Sequence, residues 1–279
     1  MKYLFIVQGE GRGHLTQAMT LEKLLLGHGH DVVGILVGKS KSRQLPEFFL
    51  KGVHAPVHQF VSINFLPSAA NRKPNMLKSI AYNTVTFPQY ISSMNYIRKT
   101  IASCGADVVV NFYELLTGLT YMFFRVPVPQ VCIGHQYLFL HKDFTMPQKV
   151  FGGYEWLRVF TRVTAIGANK YLALSFRRME DLPKQKLRVV PPLLRSEVLA
   201  TVPEKGDYIH GYMLNSGFAD DVISWHREHP DVKLRFFWDK KTDNPVTVVD
   251  DTLSFHCLDD AVFLKRMAGC MAYASTAGF

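Results

Sequence analysis

Short apolar runs alternate with longer stretches in which apolar side chains recur every three or four positions. Residues 2–7 form the first run and predict a strand. Leu15, Ala18, Met19, Leu21, Leu24 and Leu25 then follow helical spacing, which Gly27 closes. Residues 32–37 are the next strand, and further strands are expected at 57–63, 107–111, 129–133, 171–174 and 187–190. Helical stretches run up to Ala102 and onward from Leu115, and the polar segment 67–75 reads as a mobile loop. Pro191-Pro192 marks a rigid linker, after which the pattern restarts. Strand 208–214, the turn Asn215-Ser216-Gly217 and helix 219–228 come first, the helix broken by His229-Pro230. Strands at 232–238, 246–249 and 253–255 follow, then a helix over 261–267 begun by Asp259 or Asp260, and a strand of small residues at 271–274. Alternating strands and helices imply parallel sheets covered by helices. The chain therefore reads as α/β with two Rossmann-like domains, residues 1–190 and 191–279.

Two strand-to-helix turns carry the candidate chemistry. The first is Gly9-Glu10-Gly11-Arg12-Gly13-His14, where glycines let a backbone approach a ligand closely. A dinucleotide fingerprint would need glycine where His14 stands, and an acid near the end of the second strand where Gly38-Lys39 stands. With no Gly-Lys-Ser/Thr, a Walker-type loop is excluded too. The second turn is Ser275-Thr276-Ala277-Gly278, whose free backbone N–H groups suit a phosphate or diphosphate.

Composition narrows the class. Hydrophobic residues at 48% and charged residues at 20% of 279 fit a globular chain. The four cysteines are widely spaced with no C-x-x-C pair, which argues for reduced thiols in a cytoplasmic protein and against a zinc site. The amino terminus lacks the pattern of a signal peptide, and the apolar stretch 115–124 is too short to span a bilayer. Residues 1–170 hold 18 basic and 8 acidic side chains, whereas residues 171–279 hold 14 and 15. The basic first half suits an anionic ligand or surface. No nucleic-acid motif accompanies it, so nucleic acid is not expected as a partner. Cations interleave with large apolar residues over 73–99 and 142–162, a mixture suited to anionic headgroups or simply to half-buried helices.

Together the two halves, the Gly9–His14 loop and the segment 259–278 resemble a GT-B glycosyltransferase of the MurG-type and UDP-glycosyltransferase group. The family's opening motif resembles Gly9-Glu10-Gly11-Arg12-Gly13-His14-Leu15-Thr16-Gln17. Its segment of an aromatic residue and Met, a strand and Ser-x-Ala-Gly resembles Phe263 to Met267 followed by Ser275-Thr276-Ala277-Gly278. The family continues past this point with a glycine-rich helix start, an acid for the ribose and a returning helix. The second domain is thus expected to be incomplete by about 80–100 residues. The resemblance implies transfer of a hexosyl or N-acetylhexosaminyl group from a nucleotide sugar, with UDP as the expected nucleotide. The acceptor would carry a hydroxyl and be a sugar, a lipid-linked or cell-envelope compound, or a small molecule. It also implies a peripheral place on the inner face of the membrane and no cofactor besides the donor.

At the level of residues, His14 can take a proton from an acceptor hydroxyl or donate to donor phosphate, and a capping role is the plain alternative. Glu114, after the strand 107–111, can orient His14, bind acceptor or cap the next helix; Asn111 stands where an acid would be expected. Gly11, Arg12, Gly13, His135 and Gln136 are candidate acceptor contacts. By resemblance, Asn215, Ser216, Gly217, Leu258, Ser275, Thr276 and Gly278 are candidate nucleotide-sugar contacts. His28, His30, His54, His58, His226 and His229 show no ligand spacing and read as surface or capping residues. Neither Asp220-Asp221 nor Asp250-Asp251 makes an Asp-x-Asp pair, so metal-independent chemistry is expected. A nucleotide-sugar epimerase of the same fold and a non-catalytic anion- or lipid-binding protein remain the alternatives.

Overall fold

The first strand lies inside the first sheet, with a neighbour on either side. Leu4, Phe5, Ile6 and Val7 are all buried, because a parallel strand covered on both faces has no solvent side on which to place polar residues. The structure is a computed structural model that describes residues 1–41, 43–66, 75–145, 153–213, 216–240 and 242–275. The expected loop 67–75, except for Asn75, lies outside the described residues, as do Leu214, Asn215, Thr276 and Gly278.

Strands β1 (Lys2–Gln8), β2 (Asp31–Lys39), β3 (Val57–Val61), β4 (Val108–Phe112), β5 (Gln130–Gly134), β6 (Ala168–Leu174) and β7 (Leu187–Val190) form one sheet. Their order is β3-β2-β1-β4-β5-β6-β7 and every pairing is parallel. Helices α1 (Arg12–Gly27), α2 (Glu47–Gly52), α3 (Met76–Ser103), α4 (Leu115–Phe123) and α5 (Gly153–Thr164) connect them. Phe5, Val7, Ile35 and Val37 meet Leu15, Ala18 and Phe49 on one face. Leu4, Ile6 and Leu36 meet Met94, Ile97 and Ile101 of α3 on the other. Alternate β1 side chains thus feed two separate cores. The strand order reverses between β1 and β4, and the crevice beyond the carboxyl ends at such a point is where open α/β sheets bind ligands.

The second sheet holds β8 (Tyr208–Tyr212), β9 (Lys233–Trp238), β10 (Val246–Val248), β11 (Leu253–Cys257) and β12 (Ala272–Ser275). Its order is β10-β11-β9-β8-β12, parallel except for the edge strand β10. Here the order reverses between β8 and β12. Helices α6 (Ser196–Leu199), α7 (Ala219–Glu228) and α8 (Asp260–Ala268) belong to this half. The chain divides into two units: Met1–Asn64 with Ile80–Arg195, and Phe65–Ser79 with Ser196–Phe279.

Most expected elements are present within a residue or two of the predicted ends. The division falls after Arg195, a little beyond Pro191-Pro192. His135 and Gln136, expected at a strand end, instead open a 3₁₀ turn over His135–Leu140. Helix α2 is too short for periodicity to announce it.

Candidate functional site

In the β1–α1 loop the three glycines do different work. Gly9 N donates to Gly38 O at 2.8 Å, and a Cβ on Gly9 would stand 2.5 Å from Val37 Cγ1. That glycine is needed for packing against β2. Cβ atoms on Gly11 and Gly13 would meet nothing within 4 Å. Their backbone faces open space at the start of α1, where the first N–H groups lack helical partners. Gly11 caps the helix in an extended conformation with no side-chain bond. Arg12 lies over the Phe48 ring, 5.4 Å from its centroid, and Glu10 accepts from Ser40 N.

His14 lies in the first turn of α1 and is buried. Its ring stacks on Tyr113 at 5.8 Å and 20°, and on His135 at 6.1 Å and 9°. Gln136 Nε2 stands 3.3 Å from His14 Nε2, while Nδ1 has no hydrogen-bond partner. Burial, then the neighbouring His135, push the His14 pKa down to about 4, and only the Gln17 side chain opposes them. His14 is therefore neutral near pH 7, with its Nδ1 buried inside the protein. The structure thus brings His14, His135 and Gln136 together, as members of one cluster at the ends of β1, β4 and β5.

Glu114 is placed differently. It is fully buried, and its carboxylate accepts from Ser62 Oγ and from Leu116 N, the latter at 3.1 Å, so it caps α4. Oε2 has no partner, and a Cβ on Gly38 would overlap it, so only glycine at 38 leaves room for the carboxyl group. Desolvation raises the Glu114 pKa to about 7; the bonds from Ser62 and Leu116 pull it down, and Glu10 adds a smaller upward push. Asn111 explains itself through both ends of its amide. Oδ1 accepts from Glu114 N at 2.7 Å, and Nδ2 donates to Thr164 O at 2.8 Å. An aspartate there could not make the second bond.

Sequence reasoning misses Tyr113. Its φ of 61° is left-handed, which costs a bulky residue roughly 1–2 kcal/mol. Its ring lies against His14, Tyr137 and Phe160, and its hydroxyl meets Thr161 Oγ1 at 2.7 Å. The next side chain, Glu114, lies against β2 and β3. Nothing in Phe112-Tyr113-Glu114 signals this turn, because the compensating contacts come from α1, α5 and the 3₁₀ turn His135–Leu140.

In the second unit, Ser216 and Gly217 sit in the 3₁₀ turn Ser216–Phe218 after β8, and Ser216 N donates to Asp239 Oδ1 at 2.8 Å. Leu258 follows β11, directly before Asp259, whose side chain caps α8 by accepting from Val262 N at 2.9 Å. Ser275 ends β12 and is exposed. All of these lie at carboxyl ends of parallel strands. Of the histidines read as surface or capping residues, His226 departs from expectation. His226 is buried and bonds Asp250 Oδ2 at 3.0 Å and Thr252 Oγ1 at 3.1 Å, so it is not a surface residue. The expected capping role does hold for His28 and His229, whose Nδ1 atoms bond Leu24 O and Trp225 O. Among the described residues no group of three His, Cys, Asp or Glu side chains could hold a metal ion.

Two Rossmann-like units, each with one reversal of strand order in its parallel sheet, are the architecture of the GT-B class of glycosyltransferases. Solved structures share this fold. Arabidopsis thaliana UGT89C1 complexed with UDP-L-rhamnose matches 98% of this chain with 74% of its own, at 12% identity and a TM-score of 0.58. Phytolacca americana UGT2, complexed with UDP-2fluoro-glucose and pterostilbene, matches 92% with 71% of its own, at 13% identity and 0.53. Medicago truncatula UGT71G1 complexed with UDP-glucose matches 99% with 72%, at 14% identity and 0.51. Sequence comparison with curated proteins gives no match. The family model for glycosyl transferase family 1 matches residues 1–279, and the chain belongs to that family. It is a sugar transferase.

Proposed function

We propose that this transferase moves a sugar from a UDP-sugar to an acceptor hydroxyl, with the first unit holding the acceptor and the second the donor. The observation that carries this reading is His14, buried, neutral and stacked between Tyr113 and His135 at the strand-order reversal of the first sheet. In the proposed step the acceptor oxygen bonds the anomeric carbon as its proton passes to a His14 ring nitrogen. The bond from that carbon to the diphosphate breaks, and its electron pair leaves with the nucleoside diphosphate. Attack opposite the leaving group inverts the anomeric centre. A pKa of about 4 makes His14 a weak base by itself, so negative charge on the departing diphosphate is what would favour its charged form.

Gly11, Arg12, Gly13, His135 and Gln136 are assigned to the acceptor, with Glu114 holding the ends of β2, β3 and β4 beside it. Asn215, Ser216, Gly217, Leu258, Ser275, Thr276 and Gly278 are assigned to the donor, its diphosphate met by main-chain amides without a metal ion. UDP is supported by the structural neighbours, solved with UDP, UDP-L-rhamnose or UDP-glucose. The acceptor class extends from small molecules, such as the quercetin with which UGT89C1 is complexed, to lipid-linked envelope compounds. Free thiols at Cys104, Cys132, Cys257 and Cys270 support a cytoplasmic site of action.

The test is UDP release from a panel of UDP-sugars and hydroxyl acceptors, alongside calorimetric UDP binding. His14→Ala is expected to lower turnover by about 10²–10⁴-fold with UDP affinity nearly unchanged. Unchanged turnover with weakened UDP binding would overturn the assignment and make His14 a phosphate ligand.

A further inference from the structure

Among the described residues no carboxylate bonds the ring of His14. At the end of β4, where an acid could have stood against it, Asn111 commits its amide to Glu114 N and Thr164 O. Glu114 itself turns to Ser62 and Leu116. The titratable groups that face the ring are Tyr113, just after β4, and His135, in the 3₁₀ turn. The Tyr113 hydroxyl is bonded to Thr161, and burial raises its pKa to about 12, so it offers no negative charge near pH 7.

Two glutamine amides stand at the ring instead. Gln17 follows His14 by three positions in α1, so the two side chains share a face, and a helical side chain leans back over the turn before it. His14 Nδ1 and Gln17 Oε1 are both buried without a hydrogen-bond partner. Such atoms are costly apart, and a proton on Nδ1 aimed at Oε1 satisfies both. The Gln17 side chain also raises the His14 pKa, as a carbonyl accepting from Nδ1–H does and an amide donating to Nδ1 does not. On the other side of the ring, Gln136 Nε2 stands 3.3 Å from His14 Nε2. With the proton on Nδ1, Nε2 carries the lone pair and the Gln136 N–H donates to it. Both amides therefore agree on one tautomer.

We propose that Gln17 is a positioning residue, its carbonyl fixing His14 as the Nδ1–H tautomer so that Nε2 is the nitrogen that takes the acceptor's proton. In that step the acceptor O–H bond breaks and its proton joins Nε2 in place of the Gln136 contact. The oxygen keeps the electron pair with which it bonds the anomeric carbon. A neutral carbonyl then lies behind the imidazolium, which it stabilises less than a carboxylate would. The role of Nε2 rests on the transferase reading, whereas the tautomer is a property of the protein without substrate.

Nitrogen–proton correlation NMR of the full chain, labelled at the histidine ring nitrogens, tests it near pH 7, with the His14 signals identified by their loss from His14→Ala. The expected result is Nδ1–H, whereas an imidazole free in water favours Nε2–H. Gln17→Leu should move His14 toward Nε2–H and lower kcat by about 10²-fold, with KM for the UDP-sugar unchanged. Gln17→Glu keeps an oxygen opposite Nδ1, so it should hold the tautomer and recover most of the turnover. It should also raise the His14 pKa and move the acid limb of the rate profile to higher pH. An Nε2–H tautomer in wild type overturns the proposal. So does a Gln17→Glu enzyme no faster than Gln17→Leu when both melt as wild type does. An Nδ1–H tautomer in a protein that releases UDP from no donor would keep Gln17 in its place and overturn the transferase reading instead.

Discussion

At the residue scale, burial favours the neutral form of Glu114, which water disfavours above pH 4.5. Glu114 has its pKa raised from 4.5 to about 7, so between those values the unfolded chain releases a proton that the folded chain keeps. Stability from this group is therefore full below pH 4.5 and is lost as pH rises to 7, by up to about 3 kcal/mol. Glu114→Gln keeps an acceptor for Ser62 and Leu116, so its stability relative to wild type should increase between pH 5 and pH 8. Urea midpoints measured across that range check this, and a constant difference would remove Glu114 as a buried neutral acid. Glycine gives a second contrast. Gly13→Ala meets open space and gains helix propensity of up to about 1 kcal/mol, so melting should hold or rise while acceptor turnover falls. Equal turnover would show that no ligand approaches that backbone. His14 was legible because three glycines set it at a strand end. Tyr113 was not, since its left-handed backbone is held by Thr161, Phe160 and Tyr137 from elsewhere in the chain.

Among the elements, α4 and α5 show how a helix pair fixes the site from behind. Gly118 lies where a Cβ would overlap Val163 O, so the two helices pass backbone against side-chain-free backbone. Gly118→Ala should cost roughly 1–3 kcal/mol in urea unfolding, because main chain cannot yield as a side chain can. The displaced α5 would carry Thr161 and Phe160 away from Tyr113, so turnover should fall with stability. A stability equal to wild type would mean that α5 shifts freely and supports nothing. The strands were readable in outline, since β1, β2 and β4 are runs of buried apolar residues. The 3₁₀ turn His135–Leu140 was not, because it follows from Tyr137 being drawn into the core.

Across the whole molecule, three buried histidines should make the fold sensitive to acid. His14, His210 and His256 all have pKa values pushed from 6.5 to about 4, each chiefly by burial. Below pH 6.5 the unfolded chain binds protons that the folded chain refuses, so stability should fall steadily from pH 6.5 to 4. Thermal melting across that window tests this. His210 has both ring nitrogens buried without a partner, among Phe237, Phe263 and Tyr273, so His210→Phe should flatten part of the slope. A variant as acid-sensitive as wild type would place the loss elsewhere. By itself the sequence determined the α/β alternation, the restart of the pattern after Pro191-Pro192 and the glycine turn that presents His14, because each depends on residues near one another in the chain. Only the tertiary structure decided strand order, the left-handed Tyr113, the burial of Glu114 against Gly38 and the pairing of His226 with Asp250. Those depend on contacts between residues far apart in sequence, where burial and electrostatics, rather than local pattern, set the balance.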